Sequence, residues 1–257
     1  MKLTLIANWL LLLAYLLLLP WTTTAEQFYV ISSSSTSCPR ESCHTLTDMV
    51  QNPSQYFASN TVITLLPGDH QTNISRNLTV LIKDVRNVSL IGSDSSNNGS
   101  KSVILCTGSL GFAFINITTL RVAKLHFSFC RAYFPSKSTG EENFAGSSYF
   151  KKYISKTTLY FLQTYNVIIS QVVISNSSGA GLLGINMLGH SNISQTTLSG
   201  NKPSCLLIFT DFPSTSQINQ PTLLTIVNSQ MILGSTSSWN NVAGERLKGK
   251  SHTRMIK

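Results

Sequence analysis

The sequence predicts an all-β solenoid: a single-stranded parallel β-helix with a short, partly helical N-terminal cap pinned by a disulfide. Two observations carry this reading. A short phrase recurs, as SQVVISN at 170–176, SQTTLSG at 194–200 and SQMILGS at 229–235. Around the copies lie short apolar stretches that alternate with polar residues and end in Ser, Asn or Gly. Ser170 and Ser194 are 24 residues apart; Ser194 and Ser229 are 35 apart, which reads as one period plus an 11-residue insertion. Ala123–Ser128 lies 47 residues before the first copy, close to two periods. A repeat in the low twenties, filled with β-branched residues, suits stacked coils. The L-x-x-L-x-L pattern of a leucine-rich repeat is not found.

In this alignment Leu125, Val172, Thr196 and Met231 share one position. Phe127, Ile174, Leu198 and Leu233 share another, apolar in every copy. One coil cannot bury its apolar face alone, so Phe127, Ile174 and Leu198 are expected to stack as an inner column. Each contributes roughly 1.5–3 kcal/mol when fully buried. Strands are predicted in NVSLIGS (87–93), TLRVAKLHF (119–127), NVIISQVVIS (166–175) and NISQTTLSG (192–200). Ser170-Gln171 interrupts the alternation of Val167, Ile169, Val172 and Ile174, as a bend between two strands of one coil would. Corner Asn tolerates the left-handed backbone and can bond to Asn stacked above it.

The remaining elements follow in order. Residues 1–25 have a short positive start, an apolar run from Leu3 to Leu19, Pro20, and a small-residue stretch at Thr23-Thr24-Ala25, the layout of a cleaved signal peptide. An uncleaved anchor is the alternative, since a spanning helix needs roughly 20 apolar residues. Residues 26–58 form the cap. In HTLTDMVQNPSQYF (44–57), Thr45 and Asp48 suit a helix start and Pro53 forces a break or a new start. The solenoid occupies 59–238, opening with a strand and a Pro-Gly turn in SNTVITLLPGDH, and loops are expected near 131–157 and 201–220. The tail, 239–257, lies outside the repeat and shows no cap, which suggests a fragment or splice product of a longer protein.

Five cysteines fit an oxidising compartment. Cys38 and Cys43 are expected to close a local loop. Cys106 and Cys130 are 24 residues apart and form either a disulfide between neighbouring coils or a stacked reduced pair; Cys205 is left over. Seven N-x-S/T sequons, at Asn73, Asn77, Asn87, Asn98, Asn116, Asn176 and Asn192, are candidate glycosylation sites of a secreted chain. The net charge of +9 reflects scarce acids as much as abundant bases, and the tail alone carries five bases against Glu245. No Lys/Arg stripe with interleaved aromatics points to nucleic acid.

The segments SCPRESCHTL, SQYFASNTVITLLPGDH and NVSLIGS together resemble the opening of a large group of secreted right-handed β-helix proteins. The likeness runs from Cys38 to Ser235. It implies a right-handed, pectin-lyase-like β-helix and secretion, and it implies no particular activity.

Chemistry is sparse. Glycoside cleavage needs paired carboxylates, and none of the ten Asp and Glu recurs at coil spacing. The histidines lack metal-ligand spacing, and no nucleophile elbow or phosphate loop is found. No catalytic residue, metal or cofactor is expected. Asp69-His70 reads as a polar turn, and His126 as an outward residue without a role. Tyr149, Phe150, Lys151, Lys152, Tyr153 and Lys156 form a basic-aromatic patch suited to carbohydrate contact. The sequence therefore predicts a secreted, non-catalytic β-helix with an extracellular polysaccharide or protein partner. The alternatives are a polysaccharide-acting enzyme or its decayed relative, and a membrane-anchored ectodomain if the N-terminal segment stays attached.

Overall fold

The computed structural model describes residues 26–32, 43–72, 78–93, 101–106, 110–130, 157–185, 187–201, 206–209, 223–232 and 254–256. The chain opens with β1 (Gln27–Ile31), β2 (Cys43–His44), α1 (Leu46–Gln51) and α2 (Pro53–Tyr56). Strands then follow in threes: β3 (Thr61–Leu65), β4 (Gly68–Gln71) and β5 (Leu78–Lys83); β6 (Val88–Gly92), β7 (Ser102–Leu105) and β8 (Leu110–Ile115). Next come β9 (Leu120–Ala123), β10 (Leu125–Ser128) and β11 (Thr157–Leu162); then β12 (Val167–Ser170), β13 (Val173–Ser175) and β14 (Ala180–Ile185). The series ends with β15 (His190–Ser194), β16 (Thr197–Ser199) and β17 (Leu206–Phe209), then β18 (Leu223–Val227), β19 (Gln230–Ile232) and β20 (Arg254–Ile256).

These strands make three all-parallel sheets. The first member of each triple joins the first sheet, ordered β18-β15-β12-β9-β6-β3-β1-β2. The second member joins the sheet β20-β19-β16-β13-β10-β7-β4, and the third joins β17-β14-β11-β8-β5, except that β20 extends the second sheet beside β19. The architecture is thus all-β and parallel, and from β3 to β19 each strand pairs with one three places away in the chain.

The helices form where the sequence predicts them. The Thr45 hydroxyl accepts from the Asp48 N–H at 3.2 Å, and the Asp48 carboxylate accepts from the Thr45 N–H at 2.8 Å, a reciprocal capping box. The same Thr45 bonds hold the Asp48 carboxyl below its ordinary value. Pro53 sits at the start of α2, where its missing N–H costs nothing. Leu46, Met49, Val50 and Tyr56 are buried beneath the cap.

The core lies between the sheets. Its second-sheet column runs in register through His70, Ile104, Phe127, Ile174 and Leu198. The expected stack of Phe127, Ile174 and Leu198 is present and buried. Phe112 meets Phe127 edge-on at 5.7 Å, and Phe114 stacks on Phe161 at 5.6 Å. Strands β11 and β14 are buried on both faces, so they read as continuous apolar runs without alternation.

The corners are built from left-handed residues. Lys124, Gln171, Gln195 and Asn228, with φ of 49–56°, separate first-sheet from second-sheet strands. Phe129, Asn176 and Gly200 do so after the second sheet, and Asp84, Asn116 and Gln163 after the third. Asn87 Nδ2 donates to Asn60 Oδ1 at 2.7 Å, and Asn116 Nδ2 donates to Asp84 Oδ1 at 2.8 Å, so corner side chains bond coil to coil. A Cβ on Gly92 would collide with the Lys124 carbonyl of the next coil, so only glycine fits there.

The register corrects two offsets read from the sequence. Phe127 pairs directly with Ile174, so the 47-residue step is one coil with an insertion, not two periods. Leu198 pairs with Met231, not Leu233, and Ser194 pairs with Val227. The third SQ phrase is therefore two residues out of phase, because Asn228 supplies the left-handed corner there. Within 201–220, the run Leu206–Phe209 is β17, a sheet strand and not part of a loop. Arg254–Ile256, in the tail kept apart from the repeat, pairs with Gln230–Ile232.

Cys106 and Cys130 form a disulfide with Cα atoms 4.8 Å apart, joining the ends of β7 and β10. Cys130 falls one residue past the strict register because left-handed Phe129 intervenes. Cys38 and Cys205, and with them the Cys38–Cys43 pairing, lie outside the described residues.

Two stability measurements test this construction. Phe127→Ala should destabilise by about 3–5 kcal/mol in urea unfolding, the usual cost of an aromatic cavity; a loss under about 1 kcal/mol would contradict the column. Replacing both Cys106 and Cys130 by Ala should cost about 3 kcal/mol, since the bridge closes a loop of 24 residues. Reductant should lower the melting temperature of the wild type by more than that of the double variant, the difference being the share of the Cys106–Cys130 bridge.

Candidate functional site

Side chains on β4, β7, β10, β13, β16 and β19 alternate between the core and the outer face of the second sheet. The register aligns two outward rows. One runs through Asp69, Val103, His126, Val173, Thr197 and Gln230. The other runs through Gln71, Leu105, Ser128, Ser175 and Ser199. Hydroxyls, an imidazole, two amides and a carboxylate therefore stand at the strand spacing of about 4.8 Å, interspersed with Val103, Leu105 and Val173, and with Ser128 and Ser175 buried.

The rows are joined at their centre. His126 Nε2 lies 2.8 Å from Ser175 Oγ, and the Ser175 hydroxyl donates to Ser128 Oγ at 3.3 Å. His126, Ser175 and Ser128 thus form one hydrogen-bonded chain across the two rows, in which the tautomer of the ring sets whether Nε2 donates to or accepts from Ser175. Burial pushes His126 below its ordinary value, with Lys101 adding to the shift and Asp69 opposing it.

Asp69-His70, expected as a polar turn, is part of strand β4, so its two side chains point to opposite faces. Asp69 is exposed on the outer rows. His70 heads the inner column, 1% exposed, with Nε2 donating to the Leu66 carbonyl at 2.7 Å. Burial pushes this ring down as well, against the pull of the Leu66 and Ser32 carbonyls. The four described carboxylates, Glu26, Asp48, Asp69 and Asp84, stand on different elements and do not converge. Among the described residues no group of three or more His, Cys, Asp or Glu could hold a metal ion. No described helix is long and apolar enough to cross a membrane.

The patch Tyr149, Phe150, Lys151, Lys152, Tyr153 and Lys156 lies outside the described residues, as do the sequons at Asn73, Asn77 and Asn98. Asn87, Asn116, Asn176 and Asn192 are all exposed. The sequence reading assigned no role to His126 and missed Ser128 and Ser175. The signal was present in aligned FS, IS and LS pairs at 127–128, 174–175 and 198–199. No protein-family model, curated protein or solved structure matches the chain.

Both histidines bind protons more weakly when folded than when unfolded. Stability should therefore be fully present above about pH 6.5 and decline as pH falls below it. The urea midpoint should drop between about pH 8 and pH 5, and His70→Gln should remove much of that slope. A flat profile would contradict the burial of these rings.

Proposed function

We propose that this protein is a secreted, N-glycosylated, right-handed parallel β-helix of the pectin-lyase-like kind, and that it binds extracellular polysaccharide without cutting it. The observation that carries the reading is the outer face of the second sheet. There Asp69, His126, Thr197 and Gln230 offer donors and acceptors along one row, with the buried Ser128 and Ser175 hydroxyls holding His126 from behind and no second carboxylate opposite Asp69 among the described residues. Glycoside cleavage would need that second group, whereas hydroxyl recognition needs only fixed polar partners.

Strands that rotate through three sheets support the β-helix reading. Right-handedness follows from the near-universal hand of crossovers between parallel strands of one sheet. The Cys106–Cys130 disulfide and the apolar leader support an oxidising, extracellular setting.

The test is an array of neutral, uronic and sulfated polysaccharides probed with protein collected from the medium of eukaryotic cells. Selective binding with intact glycan is expected, and His126→Ala with Ser175→Ala should weaken it about tenfold or more, the loss of hydrogen bonds worth roughly 1.4 kcal/mol. Shortened products would overturn the non-catalytic reading. Binding indifferent to the double substitution would move the contact away from the second sheet.

A further inference from the structure

The four described sequon asparagines are exposed but not equivalent. Asn87 and Asn116 hold left-handed corners, and their side-chain amides already donate to Asn60 and Asp84 of the preceding coil. Asn176 also holds a corner, and its Oδ1 packs so close over Gly200 that a Cβ there would come within 2.7 Å. A glycan on any of these must be accommodated in a turn whose geometry the side chain helps to fix.

Asn192 differs on each count. It is the central residue of β15, on the outer face, with Ser191 and Ile193 turned inward. Its side chain makes no hydrogen bond among the described residues, so nothing is lost when it is substituted. Ser194, the hydroxyl residue of the sequon, lies on the same face two residues on. In the first sheet Asn192 pairs with Ile168 on one side and Thr225 on the other. Ile168 is 38% exposed, one of the few large apolar side chains so open among the described residues. A sugar attached at Asn192 leaves directly into solvent beside Ile168 and can cover it.

We infer that Asn192 is an occupied N-glycosylation site of this protein, its first sugar lying over Ile168. The inference rests on the secretory reading above. The donor is a lipid-diphosphate-linked oligosaccharide. Asn192 Nδ2 forms a bond to the anomeric carbon, the bond from that carbon to the phosphate oxygen breaks, the lipid diphosphate leaves, and the displaced amide proton passes to a base of the transferase.

The experiment expresses the full chain in eukaryotic cells in two forms, one with its own leader and one with a heterologous cleavable leader. Glycans are released enzymatically in heavy-oxygen water, and peptides are mapped for the Asn-to-Asp conversion. Asn192 conversion in the heterologous-leader form is expected, with loss of one step in gel mobility for Asn192→Gln. If that form is modified at Asn87, Asn116 or Asn176 but not at Asn192, or at no site, the inference is overturned. If only the native-leader form lacks glycan, the secretory reading fails while the assignment of Asn192 stands.

Discussion

Each set of three strands must change direction sharply between sheets and pair in register with the sets before and after it. That demand is met by left-handed residues at the corners. A residue near φ of 50° at Lys124, Gln171, Gln195 and Asn228 turns the chain from the first sheet to the second within one or two residues. The inner column can form because these turns hold successive coils in step. One residue of slippage would send Phe127, Ile174 and Leu198 to solvent and their outer neighbours inward. The outer polar rows obey the same register, so the corner geometry fixes the core and the candidate binding face together.

For most L-residues the left-handed conformation carries a steric cost, roughly 1–2 kcal/mol. Asn lowers that cost by local hydrogen bonding, and here it also bonds to the coil beneath, through Asn87 to Asn60 and Asn116 to Asp84. Gln, Lys and Phe at other corners lack that local advantage. They are held by backbone bonds between coils, such as Gln171 N–H to the Ser194 carbonyl at 3.0 Å and Phe129 N–H to the Ser175 carbonyl at 3.1 Å. Stacking therefore compensates the corner strain, which is why isolated coils are not expected to hold this shape. The Cys106–Cys130 bridge acts on the same joint by tying adjacent coils where Phe129 turns.

The ends of the stack differ. At the start, β1, β2 and the two short helices lie over the first coil, and Tyr29, His44 and Tyr56 pack ring against ring, with Tyr56 Oη 2.9 Å from His44 Nδ1. A parallel stack leaves unpaired N–H and C=O groups along its terminal strands, and this cap covers them at one end. Beneath it, His70 fills an inner position that Ile, Phe and Leu fill in later coils. The start of the stack is consequently where a buried imidazole makes the interior sensitive to protonation.

The sequence by itself determined the strands that alternate, because one face meets the core and the other meets water; β6, β12 and β13 were legible for that reason. It determined the inner column of Phe127, Ile174 and Leu198, the helix start at Thr45 and Asp48, and the spacing that lets Cys106 meet Cys130. Strands β8, β11 and β14 were not legible, since burial on both faces erases alternation, and β17 was mistaken for part of a loop. Offsets misled where an insertion imitated a coil length, and where two Ser-Gln pairs matched by composition but not by phase. Of the candidate face, His126 was placed outward correctly, but its bond to Ser175 joins residues 49 apart. Only the tertiary structure could decide that contact, because it depends on which coil lies against which, and pairing between distant strands is not written in local periodicity.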